Sequence, residues 1–347
     1  MMSIDPKAYY DDAVFREEVA NLFNRRLFVG TVADFPEINS YKTIQLGREP
    51  ITVRRTPKGI KAFSNVCLHR GALIDPEGTG TRPFRCSYHA WAYDSNGLLS
   101  HAPKVEMTCL KRTQLHAWRV NVEDGMVFIG QDDLDTTKVS AALSELSIKY
   151  SKPYFHSYTD HECNWKLLVE NVLEPYHIST VHPKTFVPTG ITSNSEYYWS
   201  NDDYTCWNTV SPSGPDAKNN RLSSIIKGTR LQYGHAYIFP NVFVSNGNDH
   251  IGYIGHFIPT GPNRTRLEWC LFEQELLLRQ NETIRQALRD AAVEFTLNTL
   301  AEDKAIVESC QIGLQSATAA YQLQDVSNLE ARVINFQSNY ERYMRHV

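Results

Sequence analysis

The sequence predicts an α+β fold in which a β-rich module sits inside or beside a larger α+β domain that supplies both chain ends. Three observations predict it. An amphipathic helical stretch opens the chain, and short β-like runs broken by Gly and Pro follow to about residue 130. Beyond them, an extended run, further strands and a long helical stretch complete the pattern. With 347 residues the chain is too long for one compact core.

The elements follow in order. Residues 8–27 read as a helix, because Val14, Val19, Leu22, Phe23 and Leu27 recur at helical spacing among charges. From Phe28 to about Gly130 the runs YKTIQL, ITVRRT, IKAFSNV, GLLSHA, WRVNVED and MVFIG suggest a small β-sandwich or barrel. The polar stretch QDDLDTTKVSAAL reads as the boundary, so the expected division is 1–27, 28–135 and 136–347. A second region starts near Tyr154 with HSYTDHECNW, then the helix-like KLLVENVLEPYHISTVH. It continues through EYYWS, YTCWNTV, HAYIFPNVFVS, HIGYIGHFIPT and TRLEWCLFEQ to the long helical NETIRQALRDAAVEFTLNTLAEDKAIVESCQIGL.

Composition narrows the function. A net charge of −4 with dispersed Lys and Arg leaves no electrostatic footprint for nucleic acid. No apolar run approaches the roughly 18 to 20 residues needed to cross a bilayer, so no membrane partner is expected. The acidic, polar start MMSIDPKAYYDDAVFREEVA is unlike a secretory signal. Seven widely spaced cysteines, an odd number, fit reduced thiols in the cytoplasm rather than a disulfide framework.

Two constellations carry chemistry. The first pairs Cys67-Leu68-His69 with Cys86-Ser87-Tyr88-His89, with the sixteen residues 70–85 between them. Two Cys and two His can hold a tetrahedral zinc. They can also hold a [2Fe–2S] cluster with both His on one iron. Structural zinc sites usually keep the two cysteines together; here Cys and His alternate, one of each per loop, which suits the cluster.

The second constellation is Asn164-Trp165-Lys166, Glu170-Asn171, Glu174-Pro175-Tyr176-His177 and His182. Five residues on a regular helix turn about 140° away, so aiming both histidines at one ion requires a bulge or a break. Downstream, Glu302-Asp303 precedes Glu308 and Gln311 at helical spacing.

Cys-Leu-His-Arg-Gly and Cys-Ser-Tyr-His-Ala-Trp closely resemble the two loops of Rieske iron–sulfur domains. Ser87 and Ala90 stand where that family commonly has Pro and Gly. The run from Asn164 to His182 resembles the mononuclear iron motif of Rieske ring-hydroxylating oxygenases, and the order of the motifs is that of the family's terminal oxygenase alpha subunit. The resemblance implies a Rieske β-sandwich next to a helix-grip catalytic domain with an antiparallel sheet and a long C-terminal helix. It implies one [2Fe–2S] cluster on Cys67, His69, Cys86 and His89. It further implies one mononuclear Fe(II) on His177, His182 and Asp303, with Glu302 the fallback carboxylate; two His and one carboxylate leave positions open for O2. Tyr88 and Trp91 would pack around the cluster, and Asn171 would stand near the iron.

The resemblance also implies a homotrimer in which Glu174 bridges His89 of one subunit to an iron-ligand histidine of the next. Most of the family has Asp there, one methylene shorter. Electrons would come from NAD(P)H through a separate flavin and iron–sulfur reductase, since no Gly-x-Gly-x-x-Gly fingerprint occurs in this chain. The expected activity is O2-dependent hydroxylation or oxidative demethylation of a small organic molecule. The pocket is expected among the aromatics after His182, namely Phe186, Tyr197, Trp199, Tyr204 and Trp207. Aromatic cages bind quaternary ammonium groups, and Glu174 resembles the amine-oxidising subset, so the lean is toward N-methylated or quaternary amines. Hydroxylation of an aromatic ring or of an aromatic or alicyclic carboxylate is the rival. A Rieske electron carrier without catalysis is the reading from another class, and it leaves His177, His182 and Asp303 without a purpose.

Overall fold

The computed structural model describes residues 4–131, 137–193, 196–202, 205–211, 233–316 and 329–345. The chain packs as two compact units, Val19–Thr136 and the combination of Met1–Glu18 with Thr137–Val347.

In the smaller unit, nine strands are found among the described residues. They are β1 Leu27–Thr31, β2 Ser40–Leu46, β3 Glu49–Thr56, β4 Gly59–Ser64, β5 Thr79–Thr81, β6 Ala92–Tyr93, β7 Leu99–His101, β8 Ala117–Glu123 and β9 Met126–Gly130. Seven of them form one antiparallel sheet in the order β1-β9-β8-β4-β3-β2-β5, and β6 pairs with β7. The sequence explains the hairpins. Asp124 and Gly125 join β8 to β9 with φ of 46° and 80°, the left-handed pair whose twist matches the flanking strands. One apolar cluster gathers Phe63, Ile74, Phe84, Trp91, Tyr93 and Leu99 around Cys67 and Cys86.

The larger unit begins with α1, Asp12–Glu18, and resumes with α2, Thr137–Glu145. It continues with β10 Phe155–His161, α3 Trp165–Leu173, α4 Ile178–Val181, β11 Glu196–Asp202, β12 Thr205–Ser211, β13 Tyr233–Ile238, β14 Val242–Gly247, β15 Ile251–Gly261 and β16 Arg264–Glu273. The helices α5 Glu275–Leu278, α6 Glu282–Leu314 and α7 Ala331–Arg345 close it. The strands form an antiparallel sheet ordered β10-β16-β15-β14-β13-β12-β11. Asp303, Val307, Gln311 and Leu314 are buried on α6, at the spacing of one helical stripe.

The amphipathic segment at 8–27 is less regular than its pattern suggests. α1 stops at Glu18, a wider five-residue turn follows over Val19–Phe23, and β1 has begun by Leu27. Glu18 ends the part belonging to the larger unit because it is held there. Its carboxylate forms a fully buried ion pair with Lys166 and accepts hydrogen bonds from Trp165 Nε1 at 2.9 Å and Tyr340 Oη at 2.7 Å. Lys166 also donates to the Ala8 carbonyl at 2.8 Å. Asn164 caps α3, its side chain accepting from Lys166 N at 3.0 Å, while its own N–H donates to Gln311 of α6 at 2.8 Å. Asn-Trp-Lys therefore serves packing: it fastens α3 to α6, α7 and the N-terminal segment.

Candidate metal centres

The Cys-x-His and Cys-x-x-His loops of the smaller unit have matching backbones. Cys67 N donates to Ala72 O and Cys86 N to Trp91 O, each at 2.9 Å; Gly71 N donates to Cys67 O and Ala90 N to Cys86 O, each at 3.0 Å. Both loops turn through a left-handed residue, Gly71 at φ 73° and Ala90 at φ 58°. Glycine takes that conformation freely; for alanine it costs about 1 kcal/mol or more.

This geometry brings the Nδ1 atoms of His69 and His89 within 3.1 Å of each other. Cys67 and Cys86 are buried beneath them and both histidines are exposed. Tyr93 donates its hydroxyl to Cys67 Sγ at 3.3 Å and accepts from Leu68 N at 3.0 Å. Burial pushes the Cys67 thiol above its ordinary range, which disfavours a free thiolate and suits one neutralised by a metal. Trp91 stacks on His69 with ring centres 4.7 Å apart, and Tyr88 lies 3.8 Å from His89. Two sulfurs inward and two facing imidazole nitrogens outward fit the donor set of a [2Fe–2S] cluster with two histidines on one iron.

In the larger unit the helix breaks ahead of the histidine pair, and a single helical turn separates the two. α3 ends at Leu173, Glu174 is extended (φ −110°, ψ 135°), and His177 and His182 flank the short α4. Glu174 and His177 thus meet across a turn. The Nε2 atoms of the two histidines come to 3.2 Å. Asp303 Oδ1 on α6 lies 3.1 Å from His182 Nε2 and 3.6 Å from His177 Nε2.

The surrounding carboxylates decide which face of each ring is open. His177 Nδ1 sits 2.5 Å from Glu174 Oε1, and Glu174 Oε2 accepts from His177 N at 3.0 Å. His182 Nδ1 sits 2.8 Å from Glu302 Oε2, which also accepts from Thr185 Oγ1 at 2.7 Å. With both Nδ1–H groups committed to carboxylates, both Nε2 atoms present lone pairs. They face a buried Asp303 oxygen that takes no hydrogen bond. Lone pairs on three atoms converging at these distances repel unless a cation or proton lies among them. Burial opposes a charge on His182, yet the neighbouring carboxylates of Asp303 and Glu302 outweigh it and raise its pKa above the ordinary value. The three side chains form the one such cluster among the described residues, and two His with one carboxylate suit Fe(II).

Glu302 and Thr185 as a support for His182 were not read from the sequence; the signal was the paired carboxylates, which pattern alone could not separate. No hydrogen bond joins Asn171 to the three donor residues among the described residues; it is half-buried near the end of α3. Phe186 packs edge-on against His182 at 5.3 Å and touches Tyr233 and Phe295 at 5.7 and 5.2 Å. Tyr204, and the side chains of Tyr197, Trp199 and Trp207, lie outside the described residues.

Residues 149–346 match the model of the ring hydroxylating alpha subunit (catalytic domain), and residues 25–126 that of the Rieske [2Fe-2S] domain. The chain belongs to the ring-hydroxylating alpha subunit family. Its Rieske oxygenase relatives incorporate O2, and it is an oxidoreductase of that kind. Putrescine 2-hydroxylase of Ralstonia nicotianae is 28% identical over 88% of this chain and 85% of its own length. The carnitine monooxygenase oxygenase subunit of Escherichia coli is 33% identical over 52% of each, so the aligned part spans about half of that relative. The fold resembles the quaternary ammonium Rieske monooxygenase CntA with a TM-score of 0.79 at 21% identity, covering 99% of this chain and 95% of that one.

Proposed function

We propose that this chain is the terminal oxygenase of a multicomponent system that oxidises an N-methylated or quaternary amine. The observation that carries the reading is the convergence of His177, His182 and Asp303, each imidazole oriented by its own carboxylate. Bound at these sites, a [2Fe–2S] cluster on Cys67, Cys86, His69 and His89 would supply single electrons, and Fe(II) on His177, His182 and Asp303 would activate O2.

The protein's own residues do the rest. Glu174 and Glu302 hold the two Nδ1–H groups, so both Nε2 atoms stay basic and correctly aimed. Glu174 has lone pairs left over, and we place His89 of a neighbouring subunit on it in a homotrimer. Tyr93 steadies Cys67. Phe186, with Tyr233 and Phe295, presents aromatic surface beside His182, which shields the site from water and favours a cationic substrate group. The electrons are assigned to NAD(P)H by way of a separate flavin and iron–sulfur reductase, in the cytoplasm. The names of the carnitine and putrescine relatives favour an amine substrate.

A second reading, hydroxylation of an aromatic or alicyclic carboxylate, draws on the buried Arg332, which donates to His235 behind Tyr233. Turnover of a substrate panel separates the two: formaldehyde or a hydroxylated amine supports the first, ring- or carboxylate-hydroxylated product the second. Metal analysis tests the class. The oxygenase gives about three irons per chain, an electron carrier about two, and a zinc protein none. Glu174→Ala should abolish product even at Fe(II) concentrations that keep both metal centres loaded; full activity would reject the bridge.

A further inference from the structure

Both cluster loops rest on one buried guanidinium that neither motif contains. Arg54, on β3, is 2% exposed and forms an ion pair with Asp75, which is 0% exposed. Asp75 belongs to the neck of the first loop: its N–H donates to Asn65 Oδ1 and its carbonyl accepts from Asn65 Nδ2, each at 2.9 Å. Ile74 N completes that neck by donating to Asn65 O at 3.0 Å, and Thr52 donates to Asp75 Oδ2 at 2.7 Å. The other arm of the guanidinium donates to the carbonyl of Arg82, at the entry to the second loop. Its plane lies 4.5 Å over the ring of Phe84. Phe84 O in turn accepts from Tyr93 N at 2.9 Å, and Tyr93 reaches across to Cys67 Sγ at 3.3 Å.

The two loops are therefore cross-tied twice, once at the sulfur by Tyr93 and once behind it by Arg54. No disulfide contributes, since Cys67 and Cys86 are free. We infer that Arg54 is a positioning residue that clasps the two loops at a set separation and thereby sets the reduction equilibrium of the cluster they hold. The inference rests on the reading that Cys67, His69, Cys86 and His89 ligate a [2Fe–2S] centre. Cluster potentials respond to hydrogen bonds at the sulfurs and to solvent exposure. Both change if the second loop drifts from the first and Tyr93 moves with it. Only a planar fork serves both loops at once; an ammonium can hold Asp75 but not Asp75 and the Arg82 carbonyl in the same geometry.

The test compares the full-length holoprotein with its R54K, R54M and R54M/D75N variants. Electron paramagnetic resonance of the reduced protein and a redox titration are followed beside iron content and thermal unfolding. In R54K the g-values should spread, and the oxidised-to-reduced ratio at fixed poise should change by about threefold or more, near 30 mV for one electron. Iron at the mononuclear site should stay at its wild-type level. R54M leaves Asp75 buried without its partner and should unfold early. R54M/D75N removes that charge and should recover stability without recovering the wild-type g-values or ratio. Wild-type spectra and potentials in both R54K and R54M/D75N, with only the unfolding temperature moved, would overturn the clasp. A wild-type protein with no Rieske signal would instead overturn the cluster assignment itself, and the clasp with it.

Discussion

Removing the carboxylate of Glu302 should weaken the mononuclear site without dismantling it. Glu302 accepts from His182 Nδ1 at 2.8 Å and from Thr185 Oγ1 at 2.7 Å, while His182 is 1% exposed. In Glu302→Ala the ring loses the acceptor that fixes its Nδ1–H, so it can flip or take the other tautomer. The flip turns a ring C–H, and the other tautomer an N–H, toward Asp303 and His177 in place of a lone pair. Losing such a support typically lowers metal affinity 10- to 100-fold, or about 1.4 to 2.8 kcal/mol. Glu302→Gln keeps a neutral acceptor for Nδ1–H and should lose about tenfold or less, since the charge-assisted bond is roughly twice as strong as a neutral one. The assay is anaerobic Fe(II) titration of the metal-free protein against a competing chelator, followed by turnover at saturating iron. Activity in Glu302→Ala should return largely at high iron, unlike that of Asp303→Ala. Wild-type Fe(II) affinity in Glu302→Ala would refute the argument that this carboxylate orients the ring.

Three further outcomes are expected. Ala90→Gly should raise the stability of the smaller unit by about 0.5 to 1 kcal/mol, because relief of the left-handed alanine exceeds the added unfolded-state entropy; Gly71→Ala should do the reverse, and differential scanning calorimetry reads both. His161 is 2% exposed with neither ring nitrogen hydrogen-bonded, and burial, helped by Lys304, lowers its pKa to about 4. A depressed folded pKa means stability held above about pH 6.5 and lost as pH falls toward 4, by about 3 kcal/mol in all. Urea unfolding of His161→Phe should show a flatter pH dependence over that window, and an unchanged slope would count against the assignment. Lys166→Met should cost about 3 to 5 kcal/mol by stranding buried Glu18, and adding Glu18→Gln should recover much of it; chemical denaturation of the three proteins decides the point.

Much of the site was legible because its chemistry demands particular atoms in a particular order. Cys67, His69, Cys86 and His89 stood out by their alternation, and the resemblance of their flanking residues favoured the cluster over zinc. His177 and His182 carried their own warning that a regular helix cannot aim both at one ion; the structure answers with a single helical turn, α4, which His182 leaves at φ −111° and ψ 44°. Other readings stopped where sequence carries no distance. The helical pattern at 8–27 does not say that Glu18 will be captured by Lys166 and that the chain will leave the larger unit there. Asn164-Trp165-Lys166 was recognisable as a motif, but its work as a packing hub depends on residues from 8 to 340 meeting in one place.

The sequence by itself offered the donor set, because thiolates, imidazoles and a carboxylate suit these metals and their order along the chain resembles that of one family. Tertiary structure alone decided orientation. Glu302 and Asp303 are neighbours with the same functional group, and α6 turns one toward Nδ1 of His182 and the other toward its Nε2. Arg54 was invisible for the same reason: it stands beside Arg55 in β3, and neither period nor spacing marks it for burial. Its partners lie 21 and 28 residues away, brought within reach only when the sheet forms and the core closes over them.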